Sequence, residues 1–164
     1  MTKLAVLGAG KMGEALIAGL VASGWRKPED IVATARTQER LDALAGSYGV
    51  QTTLSNPEAV AGAQVVVLAV KPQDAEALLA DVSPHVGEDH TLLSVVAAIS
   101  TAFIESHLAG PVPVVRAMPN TPSIVHEGMA GIAGGKHATD EHVGLAREVL
   151  THVCRVAIFP ERYL

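Results

Sequence analysis

Leu4-Ala5-Val6-Leu7-Gly8-Ala9-Gly10-Lys11-Met12-Gly13 decides the fold. A short aliphatic run, with the length of a strand buried on both faces, leads straight into a G-x-G-x-x-G. Behind it Met12, Ala15, Leu16, Gly19 and Leu20 fall on one helical face, and Gly24 predicts where that helix stops. The short residues at 15 and 19 suit close packing on a sheet. Strand, glycine turn and helix in this order meet the needs of a pyrophosphate. Gly8 permits a tight turn, Gly10 lets phosphates approach the backbone, Gly13 lets helix and strand pack closely, and the helix N-terminus faces the anion. Without those neighbours the glycines would read only as a structural turn; with them the binding reading is the stronger.

Outward from this unit the chain alternates between the same two segment types. Ile31 to Thr34, Val65 to Val70, Leu92 to Ala97 and Val112 to Val115 have the β-branched, aliphatic content of buried strands. Between them, Thr37 is the N-cap of a helix through Leu41, Leu44, Ala45 and Tyr48, and Asn56 is the N-cap of a short one opened by Pro57 and Glu58. Leu78, Leu79 and Val82 mark a fourth helix after Pro72, and Ser100 or Thr101 starts a fifth. Thr139, followed by Asp140 and Glu141, opens a last helix through Val143, Ala146, Leu150 and Val153. Met118 to Gly135 is rich in Pro, Gly and small residues and predicts turn and short strand. Strands separated by helices mean βαβ units, so the fold class is α/β: a Rossmann-type, doubly wound, mostly parallel sheet flanked by helices.

The end of the second strand selects the dinucleotide. A site for NAD usually places Asp or Glu about 20 residues beyond the glycines, to hold the ribose 2′-hydroxyl. Here the chain reads Thr34-Ala35-Arg36-Thr37, with no carboxylate. Arg36 can fork onto a 2′-phosphate, Thr37 can donate its hydroxyl, and Arg40, one helical turn on, adds positive potential, so the implied cofactor is NADP(H). Two further clusters belong where strand C-termini meet. Ala69-Val70-Lys71-Pro72 turns the chain out of the sheet, and Arg116-Ala117-Met118-Pro119-Asn120-Thr121-Pro122 holds an Asn and a Thr between prolines. Taken by composition, that second cluster is a stiff loop satisfying its own backbone.

Composition bounds what else the chain can do. Its 164 residues are 49% hydrophobic and 18% charged, enough for one compact domain and too apolar for disorder. A net charge of −5 and no basic run argue against nucleic acid. The longest stretch free of charge and His, Thr91 to Ile104, is shorter than the ~20 residues of a bilayer span. The apolar run before Gly8 is too short for an export signal of about 7–15 apolar residues, which together with the single cysteine points to the cytoplasm. Cys154 reads as a small apolar residue late in the last helix. His137 and His142 miss the spacing that puts two ligands on one helical face, so no metal is expected.

Gly8 to Leu16 (GAGKMGEAL), Ala69 to Pro72 (AVKP), Ser94 to Ser100 (SVVAAIS) and Arg116 to Pro122 (RAMPNTP), in this order, resemble the N-terminal domain of pyrroline-5-carboxylate reductase. The resemblance covers essentially the whole chain. It implies NADPH-dependent reduction of a cyclic imine, 1-pyrroline-5-carboxylate, to L-proline, the last step of proline biosynthesis. It also implies that Gly8, Ala9, Gly10, Lys11, Met12 and Gly13, Ala35, Arg36 and Thr37, Asn56, Ala69, Val70, Lys71 and Pro72, and Val95, Val96 and Ala97 line the dinucleotide. Met118, Asn120 and Thr121 then lie near the nicotinamide and the substrate.

Two departures follow from the resemblance. Ala98 stands where the family often has glycine. The family also continues into a helical domain that completes the substrate site and forms the dimer, whereas this chain stops before it. Residues 1–164 are therefore expected to be the NADP-binding Rossmann domain, poorly active alone and homo-oligomeric only with the missing domain. No single side chain is assigned as catalytic, because a protonated imine is already electrophilic and needs chiefly positioning. A β-hydroxy acid dehydrogenase-like domain and a non-catalytic, regulatory NADP-binding module are the rival readings.

Overall fold

Every residue of Leu4–Leu7 (β1), Val65–Leu68 (β4) and Thr91–Ser94 (β5) is buried, and their apolar side chains divide between two cores. Leu4, Val6, Val65, Val67 and Leu93 pack on one side of a sheet; Ala5, Leu7, Val66, Leu68 and Leu92 pack on the other. An unbroken aliphatic run is the sequence signature of such a strand, because alternation of side chains puts every residue into one core or the other. In the computed structural model, which describes residues 3–119 and 128–164, the first side is covered by Lys11–Ser23 (α1), Gln38–Tyr48 (α2) and Asp140–Thr151 (α6). The second is covered by Asn56–Ala61 (α3), Ala75–Val82 (α4) and Thr101–Ser106 (α5).

With Ile31–Thr34 (β2), Gln51–Thr53 (β3), Val114–Pro119 (β6), Met129–Gly134 (β7) and Arg155–Ile158 (β8), these strands make one eight-stranded sheet in the order β3-β2-β1-β4-β5-β6-β7-β8. All neighbours are parallel except β6 and β7. The chain runs outward from β1 to β3, then returns to start β4 on the other side of β1. The crevice between the carboxyl ends of β1 and β4 is the switch point at which open α/β sheets bind ligands. No helix among the described residues is long and apolar enough to cross a membrane.

Several local expectations change in detail. Ser55, not Asn56, caps α3: its backbone is extended and its Oγ accepts from Glu58 N at 3.2 Å, which makes Asn56 the first helical residue. The strands expected to reach Val70 and Ala97 end at Leu68 and Ser94, because the chain leaves the ladder there to form loops at the crevice. β6 runs on past Val115 to Pro119 because β7 returns antiparallel beside it, with Arg116 opposite Ala133 and Pro119 opposite Ala130. Cys154 lies beyond the end of α6 in a buried turn, its Sγ donating to Leu150 O at 3.5 Å. Gly19 serves a different neighbour from the sheet. A Cβ there would sit 2.2 Å from Val153 Cγ1, so the glycine admits the residues that follow α6 against α1.

Candidate functional site

The glycine turn is built by β2 as much as by its own sequence. Gly8 N donates to Thr34 Oγ1 at 3.0 Å and Ala9 N to Thr34 O at 2.8 Å, fastening the turn to the end of β2. Gly8 itself has φ +75, the left-handed region that glycine enters without strain, and a Cβ there would lie 2.2 Å from Val70 Cγ1. The turn after β1 is thus pressed onto the loop after β4, across the switch point. Gly10 is different in kind. A Cβ there would meet nothing nearer than Gly8 O at 4.0 Å, so the chain itself has no steric need for glycine, and the space opens outward.

No side chain caps α1 at Gly10. Thr37 caps α2, Ser55 caps α3 and Ser100 caps α5, while Thr139 and His142 form a capping box on α6; α4, which continues a 3-10 turn, is the other helix without a side-chain cap. The first amides of a helix have no intrahelical acceptor, so the N-terminus of α1, beside an open Gly10, presents donors and a positive dipole end to an incoming anion.

Arg40 occupies a place that its spacing from the glycines did not reveal. From the first turn of α2 it donates through Nε to Ala9 O at 3.1 Å and through Nη2 to Gly10 O at 3.3 Å, and it pairs with Glu14 at 2.5 Å. Glu14 also accepts from Tyr48 Oη at 2.7 Å. The Tyr48 hydrogen bond, opposed by partial burial and joined by Arg40, holds the Glu14 carboxyl below its ordinary range. The same bond raises Tyr48. This cluster turns the carbonyls of Ala9 and Gly10 toward a cation. An anion on the turn then meets amides rather than carbonyl oxygens.

Arg36 projects from the end of β2 with its side chain 79% exposed, paired with Asp74. A carboxylate does therefore reach the β2 terminus, but from the loop after β4 rather than from β2 itself. Thr37 Oγ1 accepts from Arg40 N at 3.2 Å, a use that leaves its own proton free to donate. Ala35 is half-buried between Thr34 and Arg36. Lys71 and Pro72 are exposed, and Ala69 N still donates to Leu7 O at 3.0 Å, holding that loop against β1.

The loop after β5 completes the crevice. Val95 and Val96 are buried, so only their backbone can face a ligand, whereas Ala97 is exposed. Ala98 stands in the left-handed region at φ +63, which is the physical reason a glycine suits this position. Met12, at the start of α1, and Pro119, at the end of β6, line one small apolar groove with Leu16 and Leu150, so the β6 terminus is close to the glycine helix. Met118 is half-buried in β6. Asn120 and Thr121 lie outside the described residues. Asn56 is not joined to the turn by any hydrogen bond among the described residues; its Nδ2 donates to Asp81 at 3.2 Å and its Oδ1 is buried without a partner.

One support of the site comes from the far end of the chain. Glu161 accepts from Thr101 N at 2.7 Å and from Thr101 Oγ1 at 2.6 Å, and lies 3.5 Å from Arg116 Nη1. Burial alone would raise its carboxyl; the Thr101 bonds and Arg116 outweigh that and hold it below the ordinary range. Glu161 thus ties α5, which follows the β5 loop, to β6.

Residues 3–98 match the family model described as NADP oxidoreductase, coenzyme F420-dependent. The chain is 36% identical to pyrroline-5-carboxylate reductase of Mycobacterium tuberculosis, over its whole length but only 57% of that protein. It superposes with a TM-score of 0.91 on a pyrroline-5-carboxylate reductase from Coxiella burnetii, at 31% identity, covering 97% of this chain and 59% of that one. The pyrroline carboxylate reductase of Plasmodium falciparum, solved with NADP bound, shares the fold with a TM-score of 0.87 at 22% identity, over 98% of this chain and 58% of that one. The chain therefore spans under two thirds of the relatives it matches.

Proposed function

The chain belongs to the family of NADP oxidoreductases described as coenzyme F420-dependent, and from that premise we propose that it is the NADP(H)-holding part of an enzyme that reduces 1-pyrroline-5-carboxylate to L-proline. The observation that carries the cofactor reading is the pairing of an open Gly10 with an exposed Arg36. The first is a glycine that no contact within the chain requires; the second is a cation at the end of β2, where a 2′-phosphate belongs. The substrate assignment rests on the likeness to the M. tuberculosis and C. burnetii enzymes.

In this reading the turn Gly8 to Gly13 and the N-terminus of α1 hold the pyrophosphate. Arg36 and the Thr37 hydroxyl hold the 2′-phosphate, with Ala35 beneath them. Ala69 to Pro72 and Val95 to Ala97 form the walls of the crevice, and Asn56 stands at its outer side. Met118, Asn120 and Thr121 face the imine. Bound NADPH supplies the hydride. The protein's own task is to fix two carbons at reacting distance and keep water out, a role suited to the apolar Met12 and Pro119 beside the turn.

Residues 1–164 act as one cofactor domain that supplies the cofactor half of the site, and since they span 57% of the M. tuberculosis relative, poor turnover by these residues alone is expected. The partner is a small molecule, not nucleic acid, and the reaction belongs in the cytoplasm. Titrating NADPH by fluorescence and assaying proline formation on the same sample tests both halves of this reading. Binding with poor turnover is expected. No binding would overturn the cofactor assignment, and turnover equal to a full-length enzyme would overturn the division of the site.

A further inference from the structure

Asp74 is the last residue of the short 3-10 turn Pro72–Asp74, which runs directly into α4. Asp74 N donates to Lys71 O at 2.9 Å, and with helical φ −98 and ψ −5 the residue continues the turn into α4, so no capping bond claims its carboxylate. Its partner is Arg36. The pair is lopsided in exposure: the Arg36 side chain is 79% exposed and the Asp74 side chain 32%. The anion is held against the loop while the cation projects into solvent. That loop is the one whose Val70 is pressed on Gly8, so the carboxylate is carried by a wall of the crevice and not by a distant surface.

We infer that Asp74 is a specificity-determining residue that competes with the cofactor's 2′-phosphate for Arg36 and so limits the preference for NADPH over NADH. The inference rests on the reading that Arg36 binds the 2′-phosphate. A phosphate approaching Arg36 must displace Asp74 or share the guanidinium with it, and it brings negative charge toward a carboxylate in either case. NADH has a hydroxyl at that position and leaves the ion pair intact. The competition is soft, because an exposed ion pair is weak and screened by salt.

The test compares NADPH and NADH dissociation constants for the unaltered chain, Asp74→Asn, Arg36→Ser and the double variant. Asparagine keeps the shape and removes the charge. Asp74→Asn is expected to tighten NADPH about two- to fivefold, the scale of an exposed pair. NADH should stay within about twofold, and the NADPH gain should shrink as salt is raised. In the Arg36→Ser background the gain should fall away. Unchanged or weaker NADPH binding by Asp74→Asn overturns the inference while leaving the Arg36 reading intact. An equal gain with and without Arg36 also overturns it, because the carboxylate would then act directly on the phosphate. If Arg36→Ser fails to lower NADPH binding selectively, both the inference and the reading beneath it fall.

Discussion

Gly8 and Val70 meet so closely that a Cβ on the glycine would stand 2.2 Å from Val70 Cγ1. The end of β1 and the loop after β4 are therefore one unit at the switch point, and the glycine is required twice, by contact and by its φ of +75. Gly8→Ala is expected to destabilise the fold by about 2–4 kcal/mol, from left-handed strain and overpacking together, and to weaken NADPH and NADH alike. Urea unfolding and cofactor titration check the two parts. A stable variant that binds normally would mean that Val70 yields at no cost.

Arg40 is spent on the glycine turn, not held in reserve for the phosphate. Arg40→Gln, which loses the guanidinium on Ala9 O and Gly10 O and the Glu14 pair, should weaken both dinucleotides by a similar factor, about three- to tenfold. Dissociation constants for the two cofactors measure this. A loss confined to NADPH would instead make Arg40 a second reader of the 2′-phosphate.

Glu161 makes stability depend on acid. Its carboxyl titrates below the ordinary value near 4.5 in the folded chain, so its contribution is complete above that value and lost as the pH falls through the folded pKa. Glu161→Gln should cost about 1–2 kcal/mol at neutral pH, with the gap to the unaltered chain closing as the pH falls below 4.5 and through the lowered folded pKa. Denaturant midpoints across that range test it; a gap constant with pH would show that charge plays no part.

Ala98 holds a conformation that costs an alanine roughly 1–2 kcal/mol, against roughly 0.4–1 kcal/mol of extra chain entropy lost by a glycine on folding. Ala98→Gly should accordingly stabilise the chain by about 0.5–1 kcal/mol. A lower thermal midpoint for the variant would contradict the assignment of strain to this residue.

The sequence was most legible where one local signal had one physical meaning. The aliphatic runs of β1, β2, β4 and β5 and the caps Thr37 and Thr139 were readable because burial on both faces and capping each leave a residue-level mark, while Ser100 and Thr101 remain alternatives by sequence alone. β3 and β8 were not readable: Gln51-Thr52-Thr53 has no apolar residue, and Val156-Ala157-Ile158 is a run of only three, both at the sheet edges and partly exposed. The antiparallel return of β7 was hidden for a similar reason. Its Ala and Gly residues fit between packed neighbours but have little strand propensity of their own. At the site, the glycine motif and Arg36 were visible as patterns. Thr34, Arg40 with Glu14 and Tyr48, and Asp74 were not, since each acts through a partner more than 20 positions away, and spacing along the chain does not encode such contacts.

The most direct measurement of the central claim is the effect of Arg36→Ser on the two cofactors, titrated side by side by fluorescence at fixed ionic strength. A charge-assisted hydrogen bond contributes roughly 1.5–3 kcal/mol, so NADPH binding should weaken by about 10- to 150-fold. The exposure of Arg36 and its competition with Asp74 favour the lower end. NADH, which has no phosphate at that position, should change by less than about twofold. Equal losses for NADPH and NADH, or no loss for either, would contradict the assignment of Arg36 to the 2′-phosphate and with it the NADP(H) specificity of this site.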